Sequence, residues 1–256
     1  MIYIENNIFL IREHIDMRRR KSTKTSQFGT SSKECHDSSD FYNSNLYRNL
    51  TIEDNKYETD NSIPDEILNK IFCKSSEYMD EIPDNSVHLI VTSPPYNVGK
   101  EYDDDLTLEQ YLQLIQRVMY EAKRILVTGG RVCLNVANIG RKPYIPLSTY
   151  INNIMIQTGF LMRGEIIWDK GASAGQSTAW GSWMSAKNPV LRDTHEYILV
   201  YSKGKYSRQT KGHDTITKQE FLDYTKSIWT FPTVSAKNVG HPAPFPEEMP
   251  RKWLGV

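Results

Sequence analysis

The chain has 256 residues, 39% of them hydrophobic and 24% charged, which is ordinary for a globular protein and excludes collagen-like, mucin-like and wholly disordered classes. No run approaches the roughly 20 apolar residues of a membrane helix, and Glu5 and Glu13 interrupt the apolar start, so a signal peptide is not expected and a cytoplasmic location is. The 31 Lys and Arg balance the 31 Asp and Glu, so any contact with nucleic acid must come from a local patch.

Residues 1–62 read as an irregular or disordered arm. After a short apolar start, residues 17–62 are dense in Ser, Thr, Asn, Asp and Lys, a composition that buries little. The run Arg18-Arg19-Arg20-Lys21 is expected to be a solvated charge run, with phosphate contact as its alternative. Cys35, Cys73 and Cys133 stand far apart without CxxC or paired-His spacing, which argues against a disulfide framework or a zinc site.

From Ile63 the pattern is that of alternating strands and helices. Ser86–Thr92 is an apolar run ended by Pro94-Pro95, the look of a buried strand. Thr107 and Gln110 form a capping-box pair, and Leu108, Tyr111, Leu112, Ile115, Val118, Met119, Ala122 and Ile125 recur at helical spacing until Gly129-Gly130 is expected to stop the helix. Arg131–Ala137 reads as a strand, 147–158 as a helix closed by Gly159, and Leu161–Trp168 and Glu196–Tyr201 as two more strands. This alternation predicts an α/β sheet with helices on both faces. The stretch between Trp168 and His195 is too long for an ordinary connection and is a candidate for function.

Most of the chemistry is in Ser93-Pro94-Pro95-Tyr96-Asn97. Two consecutive prolines remove both amide donors, so the turn offers backbone carbonyls and the Ser93 hydroxyl at a strand's C-terminal edge, beside the Tyr96 ring. Acceptors next to an aromatic face suit an exocyclic amino group on a planar base. A plain Pro-Pro turn closing a strand is the alternative. Asp103-Asp104-Asp105 reads as a solvated acidic turn before the helix, where carboxylates suit the helix dipole, in preference to a metal site.

Residues 70–252 resemble a β-class amino-methylating DNA methyltransferase of the restriction–modification type. Ser93–Asn97 is similar to its catalytic motif, Arg124–Val136 to the helix, turn and strand that follow, and Ile166–Lys170 and His195–Leu199 to its later strands. Ser227-Ile228-Trp229 and His241-Pro242-Ala243-Pro244-Phe245-Pro246 resemble the segment leading into the cofactor half. The resemblance implies a Rossmann-like, SAM-methyltransferase-like sheet in permuted order, with S-adenosylmethionine (SAM) as cofactor and double-stranded DNA as partner. It also implies Ser93, Pro94, Pro95 and Tyr96 at the catalytic turn and Pro244, Phe245 and Pro246 at the cofactor pocket.

Two departures stand out. Where the family carries a Gly-Asp pair ahead of the catalytic motif, this chain reads Cys73-Lys74-Ser75-Ser76. The family's Asp-Pro-Phe-x-Gly-x-Gly loop, which holds SAM, is missing: no G-x-G occurs, and Gly29 is the only glycine before Gly99. The fold is therefore expected to be C-terminally incomplete, with a second polypeptide as a possible source of the loop.

The loop Gly171–Asn188 resembles the family's variable stretch beside the DNA cleft. Trp180 and Trp183 either stack near bases or pack into the core, while Lys187 and Arg192 are placed to reach phosphates. His195-Glu196 is read as making structural hydrogen bonds at a strand start in preference to acid/base work, and His241 as a residue that starts its segment. The expected activity is methyl transfer to cytosine N4, protecting DNA from restriction. Adenine N6 transfer, and an inactive remnant or half-enzyme that acts in DNA binding or pairing, are the alternatives.

Overall fold

The computed structural model describes residues 42–47, 56–99, 105–171, 181–213, 215–241, 243, 244 and 246–255. The expected arm lies outside the described residues at 1–41 and 48–55, as do Cys35, Asp103, Asp104, Trp180 and Phe245. The chain divides into two compact units, with 42–47 in one and the described residues from Lys56 onward in the other. In the smaller unit, the Tyr47 amide donates to the Ser44 carbonyl at 3.0 Å and the Tyr42 and Tyr47 rings meet edge to face.

The larger unit is built on a five-stranded sheet. Strand β1 (Val87–Thr92) leads to helix α1 (Leu108–Ile125) and strand β2 (Leu126–Val136), which lies parallel to β1. A small hairpin of β3 (Ile139–Gly140) and β4 (Tyr144–Ile145) precedes helix α2 (Leu147–Gln157) and strand β5 (Phe160–Asp169). Strand β6 (His195–Lys203) inserts between β2 and β5, antiparallel to both. Helix α3 (Lys218–Tyr224), strand β7 (Ile228–Thr230, parallel to β5) and helices α4 (Ala236–Val239) and α5 (Glu248–Leu254) complete the unit. The strand order is β1-β2-β6-β5-β7. No helix among the described residues is long and apolar enough to cross a membrane.

Thr107 caps α1 as its sequence predicts: its hydroxyl accepts from the Gln110 amide, and the Gln110 side chain accepts from the Thr107 amide. The apolar stripe Tyr111, Ile115, Met119, Ala122 and Ile125 is buried against Ile90, Val132, Leu134 and Leu199 of the sheet, together with Leu147, Ile151 and Met155 of α2. Each large side chain buried in this way contributes about 1.5–3 kcal/mol. The opposite face packs Val91, Cys133, Ile198 and Trp168 against Trp229, Phe231 and, from α5, Met249 and Trp253. Helices thus cover both faces, and burial pushes the Cys133 thiol up to about 12.

One boundary differs from the sequence expectation. Gly129-Gly130 does not stop α1, because the helix ends at Ile125 and β2 runs straight through both glycines. They are required where neighbouring backbone crowds the strand at a register irregularity in the β1–β2 ladder. Gly129 has φ +79°, and a Cβ there would collide with the Ser207 carbonyl; at Gly130 it would meet Val127 O at 2.9 Å. The strands β5 and β6 also extend beyond the predicted runs, to Phe160–Asp169 and His195–Lys203.

Residues just before Ile63 already contact this unit. The Asn61 amide donates to Asn85 O at 2.8 Å, Tyr57 reaches Ser207, and Asp60 pairs with Arg208 at 2.7 Å. We propose that the folded core starts near Lys56 and not at 63. Limited proteolysis should trim to an N-terminus near 56, and an equally stable fragment starting at 63 or later would refute this.

Arg124 in the last turn of α1 ties the helix to the segment before β1. Its guanidinium donates to Met79 O at 2.9 Å and Ile82 O at 3.0 Å, and pairs with Glu121 and Asp84. Arg124→Ala is expected to cost about 1.5–3 kcal/mol, read in a denaturant titration as a lower midpoint at unchanged slope.

Candidate functional site

A cavity of about 790 Å³ opens where β1, β2 and β5 end and β6 begins. It is lined by Val91 through Tyr96, by Asn135 of β2, by Trp168 and Lys170 at the end of β5, by Glu196 of β6, and by Thr233, His241, Ala243 and Pro244. The C-terminal edge of parallel strands is where open α/β sheets place their ligands. Because β6 runs antiparallel to β2 and β5, its first residues arrive at this same edge.

The sequence-predicted catalytic turn is brought here intact. Pro94 is buried, Pro95 exposed, and Ser93 and Tyr96 half-buried. Asn97 holds the turn in place: it takes up φ 54°, and its side-chain oxygen accepts from the Leu106 amide at 3.1 Å just before α1. The Tyr96 hydroxyl donates to Glu196 Oε2 at 3.1 Å and lies 3.5 Å from Ser93 Oγ. Asn135 Nδ2 donates to the same Glu196 oxygen at 2.6 Å and to the Tyr96 oxygen at 3.3 Å. On the other side of the carboxylate, Lys170 Nζ pairs with Glu196 Oε1 at 2.8 Å. Burial, then the charge of Glu196, hold the Tyr96 phenol well above its usual range, so it keeps its proton at neutral pH.

Trp168 forms part of the cavity floor and is nearly sealed from solvent. Its ring stacks on Phe231 at 5.3 Å, its indole N–H donates to Phe231 O at 3.0 Å, and the Lys170 ammonium sits 5.5 Å from its centroid. Trp168 and Lys170 thus belong to a rigid wall continuous with the second core.

Glu196, Asn135 and Lys170 are the residues that sequence reasoning missed as a group. Each fell inside a strand segment quoted for its resemblance, but nothing in their spacing says that three strands and the catalytic turn converge on one carboxylate. The reading of His195-Glu196 as structural divides: His195 packs edge to face on Tyr197 at 4.9 Å, whereas Glu196 faces the cavity.

The other predicted residues are dispersed. Pro244 lines the cavity, whereas Pro246 is buried outside it, its carbonyl accepting from the Met249 amide at the start of α5. His241 also lines the cavity and accepts the Ala243 amide through Nδ1 at 3.1 Å. Trp183 and Lys187 are exposed and Arg192 is half-buried, on the connection between β5 and β6, whose ends form the cavity rim. Trp183 is 75% exposed, so its core-packing alternative does not hold. Among the described residues no cluster of His, Cys, Asp and Glu could hold a metal ion.

The chain is similar to proteins already known. The N6_N4_Mtase family model, described as DNA methylase, matches residues 87–255. The type II methyltransferase M.MjaVI of Methanocaldococcus jannaschii is 37% identical over 177 residues, covering 67% of this chain and 91% of that protein. The protein TTHA0409 of Thermus thermophilus, in complex with S-adenosyl-L-methionine, aligns with a TM-score of 0.54 at 26% identity over 71% of this chain and 70% of its own. The PvuII cytosine-N4-specific DNA methyltransferase aligns with a TM-score of 0.53 over 70% of this chain and 66% of its own; at 15% identity this likeness is one of fold alone. The chain belongs to the N6_N4 family of SAM-dependent DNA methyltransferases and has their mixed α/β, Rossmann-like fold.

Proposed function

We propose that this chain is a β-class, site-specific DNA methyltransferase that modifies the exocyclic amino group of a flipped base, with cytosine N4 as its target. The observation that carries the reading is the cavity at the catalytic turn, where Ser93, Pro94 and Tyr96 stand together beside the Glu196–Lys170 pair. When bound, SAM supplies the methyl group. The chain's own residues bind and orient the base: the Ser93 hydroxyl and a turn carbonyl accept the amino protons, leaving the nitrogen lone pair free. Stacking on Tyr96 contributes roughly 1–3 kcal/mol. The rigid anchoring of the Tyr96 hydroxyl fixes the angle at which the ring meets the base.

Serine at 93 favours cytosine over adenine, since a neutral hydroxyl suits the less electron-rich cytosine amino group. Glu196 does not alter that neutrality, because Lys170 balances its charge. Trp183, Lys187 and Arg192, on the connection that rises from the cavity rim, are assigned to the DNA backbone and groove. The test is nucleoside mass spectrometry of DNA from a host without DNA methylases that expresses the chain together with a segment carrying the glycine loop. N4-methylcytosine is expected, with the yield reduced by Ser93→Ala and by Tyr96→Ala. N6-methyladenine without N4-methylcytosine would overturn the choice of target.

The fit to SAM is one-sided. Thr233, His241 and Pro244 lie in the cavity wall, but no glycine lines the cavity among the described residues, so the close backbone approach that holds such a cofactor is not provided there. A second reading is that a glycine loop outside the described residues completes the pocket. Isothermal titration of the 256-residue chain with SAM is then expected to show weak binding or none. Low-micromolar affinity would defeat that reading.

A further inference from the structure

The hydrogen bonds beneath the catalytic turn run in one direction. Three donors converge on Glu196: Lys170 Nζ at 2.8 Å on one oxygen, and Asn135 Nδ2 at 2.6 Å and the Tyr96 hydroxyl at 3.1 Å on the other. A carboxylate paired with an ammonium only accepts. The single proton of Tyr96 is therefore committed to Glu196, and its oxygen is left to accept. That oxygen already receives Asn135 Nδ2 at 3.3 Å.

Ser93 Oγ is 3.5 Å from the same oxygen. With the Tyr96 proton spent on Glu196, this contact can be made in only one sense, with the Ser93 hydroxyl donating to Tyr96. What Ser93 retains for a ligand is its lone pairs. A base with an amino group meets them with a proton, whereas a base with a carbonyl at the same ring position brings a second acceptor. To donate to the carbonyl, Ser93 has to turn its proton round and give up Tyr96.

We infer that Glu196 is a positioning residue that fixes Ser93 as a hydrogen-bond acceptor through Tyr96, and so makes the cavity select planar bases carrying an exocyclic amino group over those carrying a carbonyl there. This rests on the reading of the cavity as the target-base site. Lys170 serves the same end by keeping the carboxylate charged, and Asn135 by occupying the Tyr96 oxygen from the far side. The selection is against thymine and guanine edges before any methyl transfer takes place. It is built from residues of four different strand ends.

The experiment is an NMR-detected titration of the full chain with dCMP and with dUMP, which differ in the amino or carbonyl group at C4. The parent is expected to prefer dCMP by about tenfold or more, as a site built around one hydrogen-bond sense rejects the reverse. Glu196→Gln can donate to the Tyr96 oxygen and free its proton toward Ser93, so the preference should fall close to one, with the fold retained by melting temperature. Glu196→Asp should restore part of it. If Glu196→Gln does not fold, Tyr96→Phe keeps the ring, removes the intermediate hydroxyl, and should lower the ratio in the same way. A parent ratio near one, no saturable dCMP binding, or an unchanged ratio in the folded variant overturns the inference. No methyl transfer enters these titrations. A chain that prefers dCMP but does not methylate DNA therefore counts against the enzyme reading alone, and one that methylates DNA without the preference counts against the role of Glu196 alone.

Discussion

The Glu196 carboxylate is the point on which the site depends. It lies where a charge is costly to bury alone, and it is tolerated because an ammonium, an amide and a phenol all donate to it. Those donors come from the end of β5, the end of β2 and the turn after β1. One acidic group therefore holds together the loops that four strands present at this edge, and it does so with directional bonds, so the turn has a fixed pose and not merely a location.

That convergence requires the topology. In an all-parallel sheet, the residue at the start of a strand lies at the opposite edge from the Ser93–Tyr96 turn. Strand β6 reverses direction between β2 and β5, so its N-terminal residues stand level with Asn135 and Trp168. The β5–β6 connection leaves from the cavity rim and returns to it, and Trp183 and Lys187 on it are exposed.

The two cores have different duties. The one under α1 and α2 is a conventional amphipathic packing, and Arg124 secures it to the segment before β1. The other is dense in aromatic side chains, with Trp168, Phe231 and Trp229 beneath the cavity and Lys252 of α5 laid over the Trp229 and Phe231 rings at 5.5 and 6.0 Å. Stacked and cation-bound rings give that side a floor with little freedom to shift. A rigid floor suits a site whose selectivity comes from the sense of its hydrogen bonds.

By itself the sequence determined α1, α2, the strands β1, β2, β5 and β6 in outline, and the Ser93–Asn97 turn. The Thr107–Gln110 cap, the apolar stripe of α1 and the double proline after β1 are local features, and local sterics and spacing decide them. The resemblance carried by Ser93–Tyr96 and the later strands led to the family for the same reason, since its motifs are short and contiguous. Tertiary structure alone decided the rest. Gly129-Gly130 reads as a helix stop because flexibility ends helices, yet the pair is needed inside a strand because the Ser207 backbone passes too close for a side chain. Glu196, Asn135 and Lys170 are far apart in the chain and ordinary in their segments. Only the antiparallel insertion of β6 brings Glu196 within hydrogen-bond distance of Tyr96, Asn135 and Lys170, and directional bonds between distant strands leave no periodic trace in sequence.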